Sequence, residues 1–465
     1  MSAGNPIKLQ PHAWSGGDSL LAKTVARPMV RFISQEASSG IVLIIATAAA
    51  LIWANLSFDS YDAFWHFKLN IEVAGREIFS ETLEHVVSDG LMVIFFFVVG
   101  MEIKSELVTG DLREPRVAAL PAIAAIGGML VPGILFYLVN VGQPGEGGWG
   151  IPVATDIAFA LGVLALLGHR IPKKLKLFLL TLAIVDDIGA ILVIAVFYTT
   201  SISFGWLGLA LGLLGLIVVL KRLKVWFIPL YAVLGVVVWY AFLESGVHAT
   251  IAGVILGLLT PATALIGTNP LERMREILAG EEHKERIDAL QVKEANWTAK
   301  ESVPVTTRLT HLISPWASFI IIPLFAIANA GIVLSGDAVG SALSSRVALG
   351  IVLGLVIGKP LGITLATWIA VKFKIASLPE GVNFGHVLGG GAVAGIGFTL
   401  SLFIASLAFE NLDESIRESI LSESIIGILV ASAIATIAGC VILAIVSKKT
   451  GKETEEPASE KVVAV

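Results

Sequence analysis

Along this 465-residue chain the apolar residues neither alternate with polar ones nor recur as helical stripes. They come in long runs separated by charged or Gly/Pro/Asn-containing breaks. A helix needs about 20 residues at 1.5 Å rise to cross a bilayer. By that measure twelve runs predict transmembrane helices, at roughly 38–56, 86–105, 117–139, 152–168, 175–199, 204–220, 225–243, 247–260, 313–334, 346–371, 385–409 and 421–446. Residues 66–79, HFKLNIEVAGREIF, alternate in part about Ala74-Gly75 and predict a small β-hairpin. The expected organisation is a polar tail at 1–33, a twelve-span unit at 34–446 and a second polar tail at 447–465. A mixed-charge loop at 261–312, with a surface helix near 270–295, tethers two halves of that unit. Residues 1–31 lack a continuous apolar stretch, so no cleavable signal peptide is predicted and the first run directs its own insertion.

Composition sharpens this to an all-α polytopic membrane protein. Charged residues are only 15% and mean hydropathy is +0.85, against about 25% charged in soluble domains. A net charge of −5 gives no reason to expect a nucleic-acid partner. The single cysteine, Cys440, lies inside the last run, where it forms no internal disulfide and reads as a small buried apolar residue. Basic residues test the span count, because they collect in cytoplasmic loops. With both termini inside, 27 of the 32 fall on the cytoplasmic side and only Lys68, Arg76, Arg346 and Arg417 outside, leaving Lys359 within a span. A wrong count would mix the two sets. The hairpin is then external, and its edge is a surface through which two copies can pair as a homodimer.

Ionisable residues inside spans are costly and point to function. They are Asp89, Glu102, Asp156, Asp186, Asp187, His248 and Lys359. Asp89 and Glu102 are 13 residues apart on one span, about 20 Å by helical rise, and so lie near opposite faces. Asp89 divides evenly between an interfacial and a functional role. Glu102, with Lys104 and Glu106, marks the cytoplasmic mouth. His248 sits near the outer face, where packing or hydrogen bonding is expected of it. Asp186 and Asp187 are different, since they lie mid-span in LTLAIVDDIGAILVIAVF. A hydrogen bond or ion pair between helices accommodates one buried carboxylate easily and two adjacent ones badly. Burial and mutual repulsion oppose double ionisation, so the pair must hold protons or a cation and titrate as a unit. Small hard cations prefer oxygen ligands. Cation and proton then compete for one site, which is what an exchanger needs.

Asp156 adds a third acid early in the short fourth span, beside Pro152 and Thr155, whose hydroxyl oxygen can also face a cation. Lys359 is the one mid-span base and needs an acidic partner, with Asp186, Asp187 and Asp156 as candidates. In HVLGGGAVAGIGFTLSLF, Gly389, Gly390, Gly391, Gly395 and Gly397 allow close helix packing or a helix interrupted at mid-membrane. Spans four and eleven are each the middle of a three-span unit, 3–5 and 10–12, and the two units have inverted topology. Interrupted spans at corresponding positions mark a transporter's binding site.

The chain resembles the NhaA family of bacterial sodium/proton antiporters from about residue 34 to 446. The resemblance rests on seven motifs in order: DGLMVIFFFVVGMEIKSEL (89–107), TDIAFALGVLALLG (155–168), LAIVDDIGAILVIAVFYT (182–199), GVHATIAGV (246–254), PLFAIANAG (323–331), GKPLGI (358–363) and GIGFTLSLFIASLAF (395–409). This family is itself an example behind the rule on interrupted spans, so the two lines are not independent. The resemblance implies an inner-membrane protein whose helices of spans four and eleven break and cross. It implies a cation/proton site at Asp186 and Asp187 with Thr155 near the ion, and Asp156 and Lys359 balancing dipoles at the crossing. It further implies that Lys359 pairs with Asp186, that exchange is electrogenic, that lithium is accepted beside sodium, and that no resident cofactor is needed. Glu102 matches a residue linked to pH response, with Glu106 and His311 nearby in the pattern. Lys104-Ser105-Glu106 and Thr310-His311-Leu312-Ile313-Ser314-Pro315-Trp316 depart from the best-known members and lack one glutamate, one histidine and one arginine of the presumed pH cluster. The 261–312 loop is also longer than theirs. Among rival readings, an intramembrane aspartyl protease sets its two acids on separate helices in YD and GxGD motifs; GxGD is absent here, the one Tyr-Asp pair, Tyr61-Asp62, lies outside the apolar runs, and adjacent Asp186-Asp187 cannot flank a peptide symmetrically. A channel does not need a lysine opposing the acids; a symporter is compatible with the same residue types.

Overall fold

A computed structural model describes residues 36–455, except 74–75, 169–170, 200–201, 224, 226, 267–268 and 280–288. The N-terminal tail, the hairpin turn at 74–75, the middle of the 261–312 loop and residues 456–465 therefore lie outside the described residues. Helix α1 (Glu36–Leu56) is followed by the short α2 (Phe58–Trp65) and an antiparallel hairpin of β1 (Lys68–Val73) and β2 (Arg76–Thr82), irregular in register between Ile71 and Glu72. Then come α3 (Leu83–Val108), α4 (Pro115–Asn140), a 3₁₀ segment (Glu146–Val153) leading to α5 (Ile157–Leu166), and α6 (Lys173–Phe197). Helices α7 (Phe204–Arg222), α8 (Ile228–Leu243) and α9 (Thr250–Leu259) complete the first half. The loop carries α10 (Pro270–Ala279) and α11 (Ala289–Glu301), and the second half holds α12 (Val305–Asn329), the short α13 (Gly336–Ser344), α14 (Arg346–Lys372), α15 (Phe384–Ala394), α16 (Phe398–Ala408) and α17 (Glu414–Glu455).

Eight of these helices are long and apolar enough to cross a membrane, and ten spans result if each of two bent pairs counts as one. Helices α8 and α9, of 16 and 10 residues, are apolar but shorter. These twelve units coincide with the twelve apolar runs. Their bounds shift where local chemistry misleads. The fourth unit begins at Glu146, because EGGWGIPV, which reads as a loop, folds as a buried 3₁₀ turn against α4 and α16. That places Asp156 mid-unit rather than early. Within the expected surface helix near 270–295, Pro270–Ala279 and residues from Ala289 onward are helical and 280–288 lie outside the described residues; the ninth run's helix starts already at Val305, and the last helix continues past 446 to Glu455. Outward side chains such as Ile44, Ile52, Leu130, Leu211 and Val236 are exposed. An apolar exterior on this scale is the surface of a protein solvated by lipid.

The interior is built on two interrupted units threaded between α4 and α14. Backbones of α4 and α14 approach so closely that a Cβ on Gly127 would strike the Gly362 carbonyl, and one on Gly362 would strike Gly127. This reciprocal contact joins α4 of the first half to α14 of the second. Unlike glycines of the eleventh run take separate roles. Gly389, Gly390 and Gly391 lie inside α15, whereas Gly395 and Gly397 occupy the break before α16. The α15–α16 bend is 52°, and that between the 3₁₀ segment and α5 is 40°.

A charged crossing of two interrupted helices

The two breaks meet. The Asp156 amide donates to the Ile396 carbonyl at 2.7 Å, joining the extended segment 154–156 to the 395–397 break. One carboxylate then caps two helices. Asp156 Oδ1 accepts from the Phe159 amide at the start of α5 (3.0 Å), and Oδ2 accepts from the Thr399 amide (3.2 Å) and hydroxyl (2.6 Å) in the first turn of α16. Helix N-termini carry unsatisfied N–H groups and partial positive charge, so a buried acid is stabilised there. At the opposite polarity, the Lys359 ammonium donates to the Val153 carbonyl that ends the 3₁₀ segment. Acid at two positive ends and base at a negative end compensate charges that neither break could leave unpaired in a low-dielectric interior.

The aspartate pair on α6 lies against this crossing. Asp186 Oδ2 accepts from Lys359 Nζ at 2.7 Å and lies 2.5 Å from the Thr155 hydroxyl. That hydroxyl is also 2.9 Å from the Ala394 carbonyl, and its single proton serves one acceptor at a time. Asp186 and Lys359 are wholly buried, so each charge depends on the other. Of the three candidate acids, it is Asp186 that faces the lysine. Among the described residues, the Oδ1 atoms of both Asp186 and Asp187 are buried without a hydrogen-bond partner. Buried carboxylate oxygens left unpaired by the protein are the donor chemistry a small hard cation takes.

The remaining candidates are dispersed. Glu102 is exposed on α3, next to Ile103, which packs with Val99 on Ile184 of α6. Glu106 accepts from the Asp111 amide at 3.0 Å and closes the turn after α3. His311 is exposed on α12, and no hydrogen bond or ion pair among the described residues links it to either glutamate. The imidazole of His248 is 2.8 Å from the Tyr198 carbonyl, and Asp89 is half-buried in a π-helical turn at Val86–Leu91. A cavity of about 800 Å³ lies elsewhere, lined by Phe97, Trp239, Leu256 and Trp316 among others, and holds none of the aspartates. Thr399, Ser401 and Ser432 were not singled out from the sequence; for Thr399 and Ser401 the signal available was a pair of hydroxyls just beyond the Gly395–Gly397 break, and Ser432 on α17 carried none.

An acid pair countered by a lysine where two interrupted helices cross, inside a multi-pass membrane fold, defines a secondary transporter rather than an enzyme. The profile of the family described as Na+/H+ antiporter 1 matches residues 30–443, and the chain belongs to that family. It is 46% identical over 428 residues to a Na(+)/H(+) antiporter NhaA of Rhodopirellula baltica, covering 90% of this chain and 93% of that one. It is 44% identical to a Na(+)/H(+) antiporter NhaA of Oleidesulfovibrio alaskensis, covering 85% and 88%. A Na(+)/H(+) antiporter NhaA of Koribacter versatilis is 43% identical over 94% of this chain and 95% of its own.

Proposed function

We propose that this chain exchanges sodium for protons across the bacterial inner membrane, with Asp186 and Asp187 as the site both ions share. The observation that carries the reading is the pair of orphaned carboxylate oxygens beside the Asp186–Lys359 ion pair. Deprotonated and open to the cytoplasm, the aspartates take a sodium ion. The crossing segments then turn the site outward, external protons displace the ion, and the protonated site returns. Thr155 offers its hydroxyl oxygen to the ion, while Asp156 and Lys359 balance the helix ends. Exchange is electrogenic, accepts lithium and uses no resident cofactor. All twelve apolar units span the membrane with both termini cytoplasmic, units 3–5 and 10–12 being inverted. The hairpin lies outside, where it joins two copies into a homodimer. Glu102 lines the cytoplasmic mouth, and with Glu106 and His311 it tunes the response to pH.

The decisive measurement is made in everted vesicles with a preset acidic interior. Adding sodium collapses the gradient with the wild-type chain, and Asp187→Asn abolishes the effect. No sodium-dependent proton movement at any pH from about 6 to 9 overturns the reading, a window wide enough for a coupled pair.

A further inference from the structure

Hydroxyls buried in helices normally donate to the carbonyl one turn back in their own helix. Thr181 donates to Leu177, Ser424 to Ile420 and Thr436 to Ser432 in that way. Ser401, wholly buried in α16, does not. Its hydroxyl leaves its own helix and donates at 2.7 Å to the Ile151 carbonyl, in the last turn of the 3₁₀ segment of the other half. Ile151 is two residues from Val153, whose carbonyl receives Lys359, and four from Thr155, which faces Asp186. At the start of α16, the Phe398 amide donates to the Ser432 hydroxyl on α17 at 3.4 Å. Ser401 therefore ties α16 to the 3₁₀ segment of the other half, close to the Val153 carbonyl that receives the lysine and the threonine that faces Asp186.

We propose that Ser401 is a positioning residue of the exchange site. Through Ile151 it fixes the direction of the Val153 carbonyl and the Thr155 hydroxyl, and hence how strongly Lys359 competes with sodium for Asp186. Without the bond, segment 151–155 loses its cross-half anchor, and the geometry that sets cation affinity relaxes while the aspartates themselves remain. The inference rests on the exchange reading above and adds a residue that touches neither ion.

The test uses the full-length chain in everted vesicles and, after purification, in a thermal-shift series with sodium. Ser401→Ala should raise the sodium concentration for half-maximal exchange roughly three- to tenfold, the worth of one buried hydrogen bond, with the maximal rate changed less. Its pH profile should move, and the midpoint of sodium-dependent thermal stabilisation should shift in the same direction. Ser401→Thr, which keeps the hydroxyl, should restore the wild-type values, and Ser424→Ala, which loses only a bond within its own helix, should not alter them. If Ser401→Ala does not fold, Ser401→Cys, close in size and a weak donor, decides by the same readouts. Unchanged half-saturation and pH profile in the folded variant, or a fall in rate alone, overturns the proposal. A silent wild-type chain would instead count against sodium/proton exchange itself.

Discussion

At the scale of single residues, the Asp186–Lys359 pair makes the sharpest prediction. Both side chains are wholly buried and each satisfies the other at 2.7 Å. Removing one partner strands a charge in a low-dielectric interior, which costs about 3–5 kcal/mol, whereas removing both can be nearly neutral. Lys359→Met and Asp186→Asn should therefore each lower the thermal midpoint of the purified protein. The double variant should recover most of the loss while remaining inactive in exchange. Equal or additive losses in the double variant would show that the pair is not coupled as drawn. The members of this pair were legible in the sequence, because an ionisable side chain amid apolar runs has few explanations. The hydroxyls of Thr399, Ser401 and Ser432 were not. Serine and threonine are common in membrane helices, and only the fold shows which donate across the crossing and which fold back on their own helix.

Helices bring a different kind of legibility. The runs announced their positions, and the glycines of the eleventh announced either a break or a close contact, which the structure divides between Gly395–Gly397 and Gly389–Gly391. The 3₁₀ turn at Glu146–Val153 stayed hidden, since glycine, tryptophan and proline in that order are as good a loop as a buried turn. The meeting of α4 and α14 was equally invisible, because Gly127 and Gly362 lie 235 positions apart in separate halves and a lone glycine names no partner. There the backbones touch so closely that neither glycine accepts a Cβ without displacing carbonyl atoms of the other helix. Gly127→Val and Gly362→Val should each abolish the monodisperse folded peak in size-exclusion chromatography. Gly208→Ala on α7, where a Cβ meets nothing within 4 Å, should leave that peak and exchange intact. Survival of either valine variant with normal exchange would mean that the fold does not depend on this close contact between α4 and α14.

For the whole molecule the question is how twelve apolar units are disposed about one site. The bent pair of Glu146–Val153 and Ile157–Leu166 is compatible by length with a crossing or with a re-entrant loop. The site geometry argues for the crossing. Asp156 accepts from the start of both α5 and α16, so the half-helices beyond the two breaks converge on it with their N-termini. In an inverted repeat these halves run away from the membrane centre toward opposite faces. If so, the residues before and after each pair must lie on opposite sides, and a site between them can be opened to either side in turn. Single cysteines in a Cys440→Ala background test this in intact cells. A membrane-impermeant thiol reagent should modify a cysteine at Gln143 directly, and one at Lys174 only after permeabilisation. Asn411→Cys should behave like the first and Asn296→Cys like the second. Labelling of Gln143→Cys and Lys174→Cys from the same side would make the fourth unit re-entrant. The aspartates would then lack the two-sided access that exchange demands.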